Sequence, residues 1–335
     1  ILATDTGFIG WVRDRNGVRV VRLPHSRQAV LDAVIALRSV LRRDDTDARP
    51  AAQLLWRMLI APFARVSNGL RSGVVHVEVD GILRYVPFAA LHDGRRFWVE
   101  RATVRQYEPR ASQNHARKRN HVFTGSQASP RGVLVAVSAA NSANGTESLP
   151  FANAEVASIA EIWRAKRGAQ GVVRNDIDAS EFRRLIATEP TLLHVAAHFK
   201  LVPGDETRSF LSLAKGDRLS VFDLRNMDFT KTKLVVLSAC DTSLDMADGA
   251  EIGGLPRVLL EAGAGSVVGT LWAISDQSTS AWMETMYRQL NIVGVDRVAD
   301  AITITQRAFL SDPLLPKAWR HPYHWAAFSL MASTQ

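Results

Sequence analysis

Apolar and polar positions divide this chain by period. In the first 24 residues, "GFIGWVRDR" and "VRVVRLP" alternate as short strands. They flank Asn16–Gly17, a strong signal for a two-residue hairpin turn. Beyond Pro24 the period becomes helical: Ala29, Val30, Val34, Ile35 and the stretch Leu37–Leu41 share a broad apolar face. "AAQLLWRMLIAPF" (51–63) repeats the theme, with Leu54, Leu55, Met58 and Leu59 at helical spacing and Pro62 near the stop. Residues 73–109 then predict a strand, an Asp-Gly turn, a second extended piece, another Asp-Gly turn and a further strand. Residues 111–131 are polar and basic and predict a mobile loop.

A second unit begins after that loop, and its elements alternate. Strands are expected at 132–138, 171–174, 191–197, 209–214, 233–239, 265–272 and 323–331. Helices are expected at 152–166, 178–188, 220–227, 254–263, 277–290 and 297–310, with a Gly/Asn/Ser loop over 140–149. Ser220, with Asp223 three residues on, has the spacing of a capping box. Near-continuous β-branched runs between helices predict an α/β fold with a mostly parallel sheet covered on both faces. The expected division is residues 1–130 and 131–335. No internal repeat of 20–50 residues is evident.

Composition narrows the class. A chain of 335 residues that is 47% hydrophobic and 22% charged has material for a substantial core, and no run approaches the length of a membrane span. The chain opens "ILATDTGF", without an initiator Met or a signal-peptide pattern, and reads as a piece of a longer polypeptide acting in the cytoplasm. Its formal charge of +8 is spread out, with clusters at Arg42–Arg43 and "HARKRN". No aromatic interleaving accompanies them, so a solvated surface is expected rather than direct nucleic-acid binding. The one cysteine, Cys240, excludes a disulfide within the chain and is either a small core residue or a nucleophile.

In an open α/β sheet, chemistry gathers beyond the carboxyl ends of the strands. "TLLHVAA" delivers His198, and "KLVVLSA" delivers Cys240 followed by the turn-forming "CDTS". The 42 positions from 198 to 240 are close to the His-to-Cys spacing of caspase-type proteases. His194, flanked by apolar residues, is a strand-interior residue; His198 stands at the strand end. A thiol is only a few per cent ionised at neutral pH, and an imidazole beside it lowers its pKa and supplies the base and the acid. Backbone N–H groups at Phe199 and at Cys240 are candidates to hold the oxyanion of an acyl intermediate. Cys at the end of an apolar strand can equally be plain core, and the pairing with His198 is what favours chemistry.

Other motifs carry less. "EIGGLP" and "EAGAGS" lack the spacing of a nucleotide-binding loop, and Gly253–Gly254 suit a close turn. The remaining histidines form no metal-ligand pattern, and His321 and His324 are expected to pack before the last strand. Trp272, Trp319 and Trp325 are expected in the core. No metal and no cofactor are expected.

The segments "LLHVAAHFKLVPGDETRSFLSL", "LVVLSACDTSL", "EIGGLPRVLLEAGAGSVVGTLWAISDQSTSAWMETMY" and "HPYHWAAFSLM" resemble the CHAT domain. This is a caspase-like, separase-related group of cysteine peptidases found in bacteria and eukaryotes. "DGILRYVPFAALHDGRRFWVERATV" resembles the amino-terminal half of the same domain, so the likeness covers about residues 50–331. The resemblance implies a caspase-like αβα sandwich with an amino-terminal, non-catalytic pseudo-caspase-like subdomain. It matches His198 and Cys240 to the catalytic dyad. It implies limited, regulated cleavage of a protein partner at few sites, and a sensor or repeat domain upstream. Caspases keep Gly after the catalytic His, where this chain has Phe199.

For a basic P1 side chain, the resemblance offers Ser238, at the position of an acid in metacaspases, and Asp276, matching a separase acid. Asp205 and Glu206, in the loop after His198, are further candidates. Asp276 can equally be the N-cap of a helix beginning near Gln277, and Asp241 a brace for the turn at Cys240. Phe199 motivates the alternative of a dormant, caspase-like interaction or signalling module. Acyl transfer to a small molecule would use the same dyad.

Overall fold

The computed structural model describes residues 1–107, 133–140, 149–166, 169–200, 202, 205–238 and 254–332. Cys240 and Asp241, the loop 111–131, Gly253 and most of the loop 140–149 lie outside the described residues. The chain divides into two compact units, one of residues 1–109 with 299–329 and one of residues 110–298 with 330–335.

In the first unit, β1 (Leu2–Ala3), β2 (Phe8–Asp14) and β3 (Gly17–Leu23) form an antiparallel sheet. Asp14 pairs with Gly17, so the turn residues are Arg15 and Asn16, one place earlier than the Asn-Gly signal suggests. Asn16 N–H donates to Asp14 Oδ1 (2.9 Å), and Gly17 takes a φ of 107° that a side chain would resist. Helix α1 (Arg27–Leu41) starts at Ser26, whose Oγ accepts from Ala29 N–H. It buries Val30, Ala33, Val34, Leu37 and Leu41, while Ile35 faces out.

Helix α2 (Arg49–Leu55) widens into a π turn over Trp56–Ile60 before α3 (Ala61–Ala64). Pro62 explains the widening, because it has no N–H for the residue 58 carbonyl and its ring crowds that carbonyl. Ala61 N–H accordingly reaches back to Trp56 O.

Strands β4 (Gly73–Glu78) and β5 (Ala102–Tyr107) pair in parallel, Gly73 opposite Ala102. The extended piece expected between them is instead a series of short 3₁₀ turns that bury Leu83, Val86, Phe88 and Leu91. Parallel neighbours need such a crossover rather than a hairpin.

The second unit is built on β6 (Val133–Ser138), α4 (Ala152–Arg164), β7 (Gln170–Arg174), α5 (Ala179–Ile186) and β8 (Leu192–Ala196). It continues with β9 (Phe199–Lys200), β10 (Phe210–Ser212), β11 (Arg218–Ser220), α6 (Val221–Arg225), β12 (Leu234–Leu237), α7 (Gly254–Glu261), β13 (Ser266–Thr270) and α8 (Asp276–Val293). The helices α9 (Val298–Ser311) and α10 (Pro322–Trp325) belong almost wholly to the first unit, and β14 (Phe328–Ala332) spans the boundary at residue 330. In the first unit's carboxyl-terminal part, Arg105 pairs with Asp300 (3.2 Å) and Arg307 Nε donates to Val99 O (2.6 Å).

The six-stranded sheet runs β14-β13-β12-β8-β6-β7, and β13, β12, β8, β6 and β7 are parallel. Its strands are apolar on both faces because both faces are covered. On one face Val135, Val137, Leu193, Val195, Val235, Leu237 and Val267 pack with Phe182 and Ile186 of α5, Val221 and Leu224 of α6, and Leu255 and Leu259 of α7. On the other face lie α4 and α8, which meet in parallel: Ser158 donates to Glu284 (2.8 Å) and Asn291 to Ile162 O. The layers are helix, sheet, helix.

Two expectations change at the margins. The strand expected over 209–214 is β10, which belongs to a separate antiparallel sheet, β11-β10-β9. The strand expected from residue 323 begins only at Phe328, because Pro322 opens the turn α10 and His321 Nδ1 caps it by accepting from Tyr323 N–H (3.2 Å). His324, Trp272 and Trp325 are buried, whereas Trp319 is half-buried and stacks on Phe309 at 5.9 Å.

Candidate active site

The sheet order fixes where a site can form. The chain passes from β6 outward to β7, then returns to place β8 on the other side of β6. The carboxyl ends of β6 and β8 therefore flank a topological switch point, the usual crevice of an open α/β sheet. β12 lies parallel beside β8 with Val236 opposite His194 and Leu237 opposite Val195. Ser238 N–H donates to Val195 O (2.9 Å), which carries the register one residue beyond the strand. His198 follows Ala196 by two residues, and Cys240 follows Ser238 by two.

The two histidines of "TLLHVAAHFK" occupy different environments. His194 is completely buried, with Nε2 2.9 Å from Glu155 Oε1 of α4 and Nδ1 3.1 Å from the Tyr287 hydroxyl of α8. Both ring nitrogens are satisfied, so it is the strand-interior residue its flanks suggest. Burial, and then the Glu155 charge, push the Tyr287 phenol well above its ordinary range, which keeps it a neutral hydrogen-bonding group. His198 is half-buried beyond the end of β8.

Phe199 sits 4% exposed in the core cluster with Val195, Ala197, Leu211 and Leu213. Its ring thus lies on the face opposite His194. His198 O accepts from Ser212 N–H (2.8 Å), which makes 198 and 212 a hydrogen-bonded pair of the antiparallel ladder. Phe199, opposite Leu211, falls in the alternate, non-bonded pair, so its N–H points away from β10.

The acids expected near a substrate separate clearly. Asp276 opens α8, with Ser275 at the cap position; its Oδ2 accepts Phe151 N–H (3.0 Å) and ties the start of α4 to the start of α8. It is therefore the first helical residue and not the N-cap. Burial pushes its carboxyl above the usual range and the Glu155 charge adds to this, while Phe151 N–H and the nearby His198 act the other way. Asp205 is engaged with Thr207 and Arg208 N–H (3.0 Å each), its own loop. The Thr207 hydroxyl, first among several hydrogen bonds, holds its carboxyl below the usual range. Glu206 is bound by Arg225 (Nε to Oε2, 3.1 Å), which also binds Glu261. Ser238, half-buried, has no charge to offer a basic side chain.

Glu155 and Tyr287, which satisfy His194, are not expected from sequence. The available signal for Glu155 is an acid at helical spacing on a stripe with Ala152, Val156 and Ile159. Among the described residues, no group of three or more His, Cys, Asp or Glu could hold a metal ion, and no helix is long and apolar enough to cross a membrane.

A mostly parallel sheet lies between two helical layers, and the chain is a caspase-like α/β protein. The CHAT domain model matches residues 49–333, and the chain belongs to the CHAT domain family. No curated protein matches it. The Arg-specific cysteine proteinase gingipain R (RgpB) shares the fold with a TM-score of 0.50 at 10% identity, over 85% of this chain and 67% of that one. The Saccharomyces cerevisiae separase–securin complex gives a TM-score of 0.46 at 12% identity, over 77% of this chain and 16% of that one. Caspase-1 from Spodoptera frugiperda gives 0.39 at 14% identity, over 62% of this chain and 92% of that one. The likeness to gingipain R, at 10% identity, is one of fold.

Proposed function

We propose that this chain is a cysteine endopeptidase that cleaves a protein partner at few sites, with Cys240 as nucleophile and His198 as base and acid. The observation that carries the reading is the register of β8 against β12. Two adjacent parallel strands end level with each other, and the chain continues from them to His198 and to Cys240 over the same number of residues.

The chemistry follows. His198 takes the thiol proton, and the thiolate attacks the scissile carbonyl carbon. The oxyanion of the tetrahedral intermediate is held by backbone N–H groups, with Phe199 and Cys240 as the donors. The core position of the Phe199 ring supports this, because the ring takes no room on the His198 face. The imidazolium then protonates the leaving amine, a thioester forms, and water activated by His198 releases the acid.

Asp276 is the acid assigned to a basic P1 side chain. It stands at the start of α8 within electrostatic reach of His198, whereas Asp205 and Glu206 are spent on their own loop and on Arg225. Control by an upstream sensor or repeat domain, and action in the cytoplasm, belong to the same proposal.

The test is cleavage of a peptide library by wild type and Cys240→Ala. Turnover with a basic P1 preference, lost in the variant, supports the reading. Equal turnover by both overturns it, and no cleavage together with no labelling of Cys240 by a thiol-directed peptidyl electrophile favours a dormant interaction module.

A further inference from the structure

The three-stranded sheet of the first unit is apolar on its solvent side, where a free antiparallel face is commonly polar. Side chains alternate along a strand, so β2 and β3 each present two sets. Phe8, Gly10 and Leu23 face inward and are buried, and Gly10 lets the Phe63 ring approach where a Cβ would stand. The outward set pairs Ile9 with Arg22, Trp11 with Val20 and Arg13 with Val18, and Leu2 of β1 sits opposite Ile9. Trp11 is 45% exposed, Val18 61% and Val20 68%. Single exposed apolar residues are ordinary, but apolar side chains in adjoining rows of one face make a contiguous patch. This sheet lies before residue 49, where the match to the CHAT domain begins, so the family match does not account for it.

Charge narrows what covers the patch. Arg13 and Arg22 are exposed on the same face and bracket the Trp11–Val20 pair, and neither has a hydrogen-bond or ion-pair partner among the described residues. The hairpin's own acid, Asp14, belongs to the inward set, where it accepts from Ser67 Oγ (2.6 Å) and pairs with Arg19. We propose that this face docks an amphipathic helix of a partner protein, its apolar stripe over Trp11 and Val20 and its carboxylates on Arg13 and Arg22. A helix is the form that fits, because it satisfies its own backbone groups. A lone strand laid on a sheet face would leave its N–H and C=O groups unpaired. A second copy would bring Arg13 and Arg22 against the same cations.

The register sets the spacing. Arg22 lies opposite Ile9, four residues before Arg13 on β2, which places the two guanidinium stems about 14 Å apart along the strands. A helix rises 1.5 Å per residue, so the matching acids stand about nine residues apart on one side of the partner's apolar stripe. The Trp11 ring supplies most of the affinity, as a large apolar surface removed from water. The arginines reject a basic partner and fix the register by bidentate pairing. No residue of the second unit takes part, so the docking face stands apart from the Cys240 and His198 reading.

The experiment titrates the full chain, by fluorescence anisotropy, into a labelled designed peptide of about 18 residues, long enough to span both arginines. The peptide carries a Leu stripe at helical spacing and two Glu about nine residues apart; a matched peptide has Lys in place of Glu. Wild type should bind the Glu peptide about tenfold more tightly than the Lys peptide, and less tightly as salt rises. Trp11→Ser should weaken the Glu peptide about tenfold, and Val20→Thr should weaken it less. Arg13→Glu combined with Arg22→Glu should reverse the preference between the peptides, which a role in the fold alone would not do. Thermal midpoints measured in parallel should stay at the wild-type value, since all four side chains are exposed. Equal affinity for the two peptides, no binding by wild type, or a Glu-peptide affinity unchanged in these variants overturns the proposal. Dimerisation of the chain alone, lost in Trp11→Ser, would assign the face to a second copy. Co-sedimentation with phosphatidylserine vesicles, lost in the same variant, would assign it to a membrane surface, and either result also overturns the helix.

Discussion

His194 Nε2 lies 2.9 Å from Glu155 Oε1, with the two side chains 0% and 1% exposed, and the Tyr287 hydroxyl closes the other end of the imidazole at 3.1 Å. The central strand is thereby bolted to α4 and α8, whose starts are joined by the bond from Phe151 N–H, at the cap of α4, to Asp276. A buried hydrogen-bonded pair contributes less than its distance suggests, but removing one member leaves the other's polar atom unsatisfied in a dry site. Glu155→Ala is expected to cost about 3–5 kcal/mol by urea denaturation. Glu155→Gln, which retains an acceptor for the imidazole, should cost clearly less. Equal losses in the two variants would mean that packing and not pairing matters here.

Asp276 gives a pH dependence of defined sign. Burial raises its carboxyl above the ordinary range in the folded chain. Protonated in both states, it costs nothing below the unfolded Asp value; as pH rises through the raised folded value, the folded state must ionise a disfavoured group, so stability is lost on the alkaline side. Asp276→Asn should therefore gain stability relative to wild type at about pH 7 and lose that gain at about pH 3, read from urea midpoints. If the carboxylate also receives a basic P1 group, KM for Arg substrates should rise as pH falls through the same range, and Asp276→Asn should abolish that limb.

The glycines of "EAGAGS" bring α7 and β13 against the start of β12. Gly263 has a φ of 109°, and a Cβ there would stand 2.6 Å from Thr230 Cγ2 and 3.0 Å from Thr230 N. At Gly265 a Cβ would meet the Lys233 carbonyl oxygen at 2.8 Å, backbone that cannot step aside. Gly265→Ala is expected to destabilise by about 1–3 kcal/mol, and Gly263→Ala by at least as much because left-handed strain adds to the overlap. Wild-type urea midpoints in both would show that the turn relaxes freely.

The alternation of strands and helices in the second unit was legible because burial on both sheet faces writes itself as apolar runs and helical stripes. The Ser220–Asp223 spacing was legible for a similar reason: the structure has the reciprocal cap, Asp223 N–H to Ser220 Oγ at 3.0 Å and Ser220 N–H to Asp223 Oδ2 at 3.1 Å. Local chemistry decides such features, and local sequence carries them. The segment after the first Asp-Gly turn was harder, since compact 3₁₀ turns with buried Leu83 and Leu91 have the same apolar content as a strand. The turn at residue 15 differs from the Asn-Gly signal because the pairing of Phe8 with Leu23 sets the register along the whole hairpin.

The sequence by itself determined the α/β class, His198 at a strand end, His194 inside the strand, and the family-like motifs between them. Only the tertiary structure decided that β8 and β12 are neighbours in register, that Glu155 and Tyr287 satisfy His194, and that the Phe199 ring points into the core. Those relations join residues far apart in the chain, and no local period records which strand pairs with which or which face a helix covers. They follow from how the sheet orders its strands and where each residue falls in the pleat.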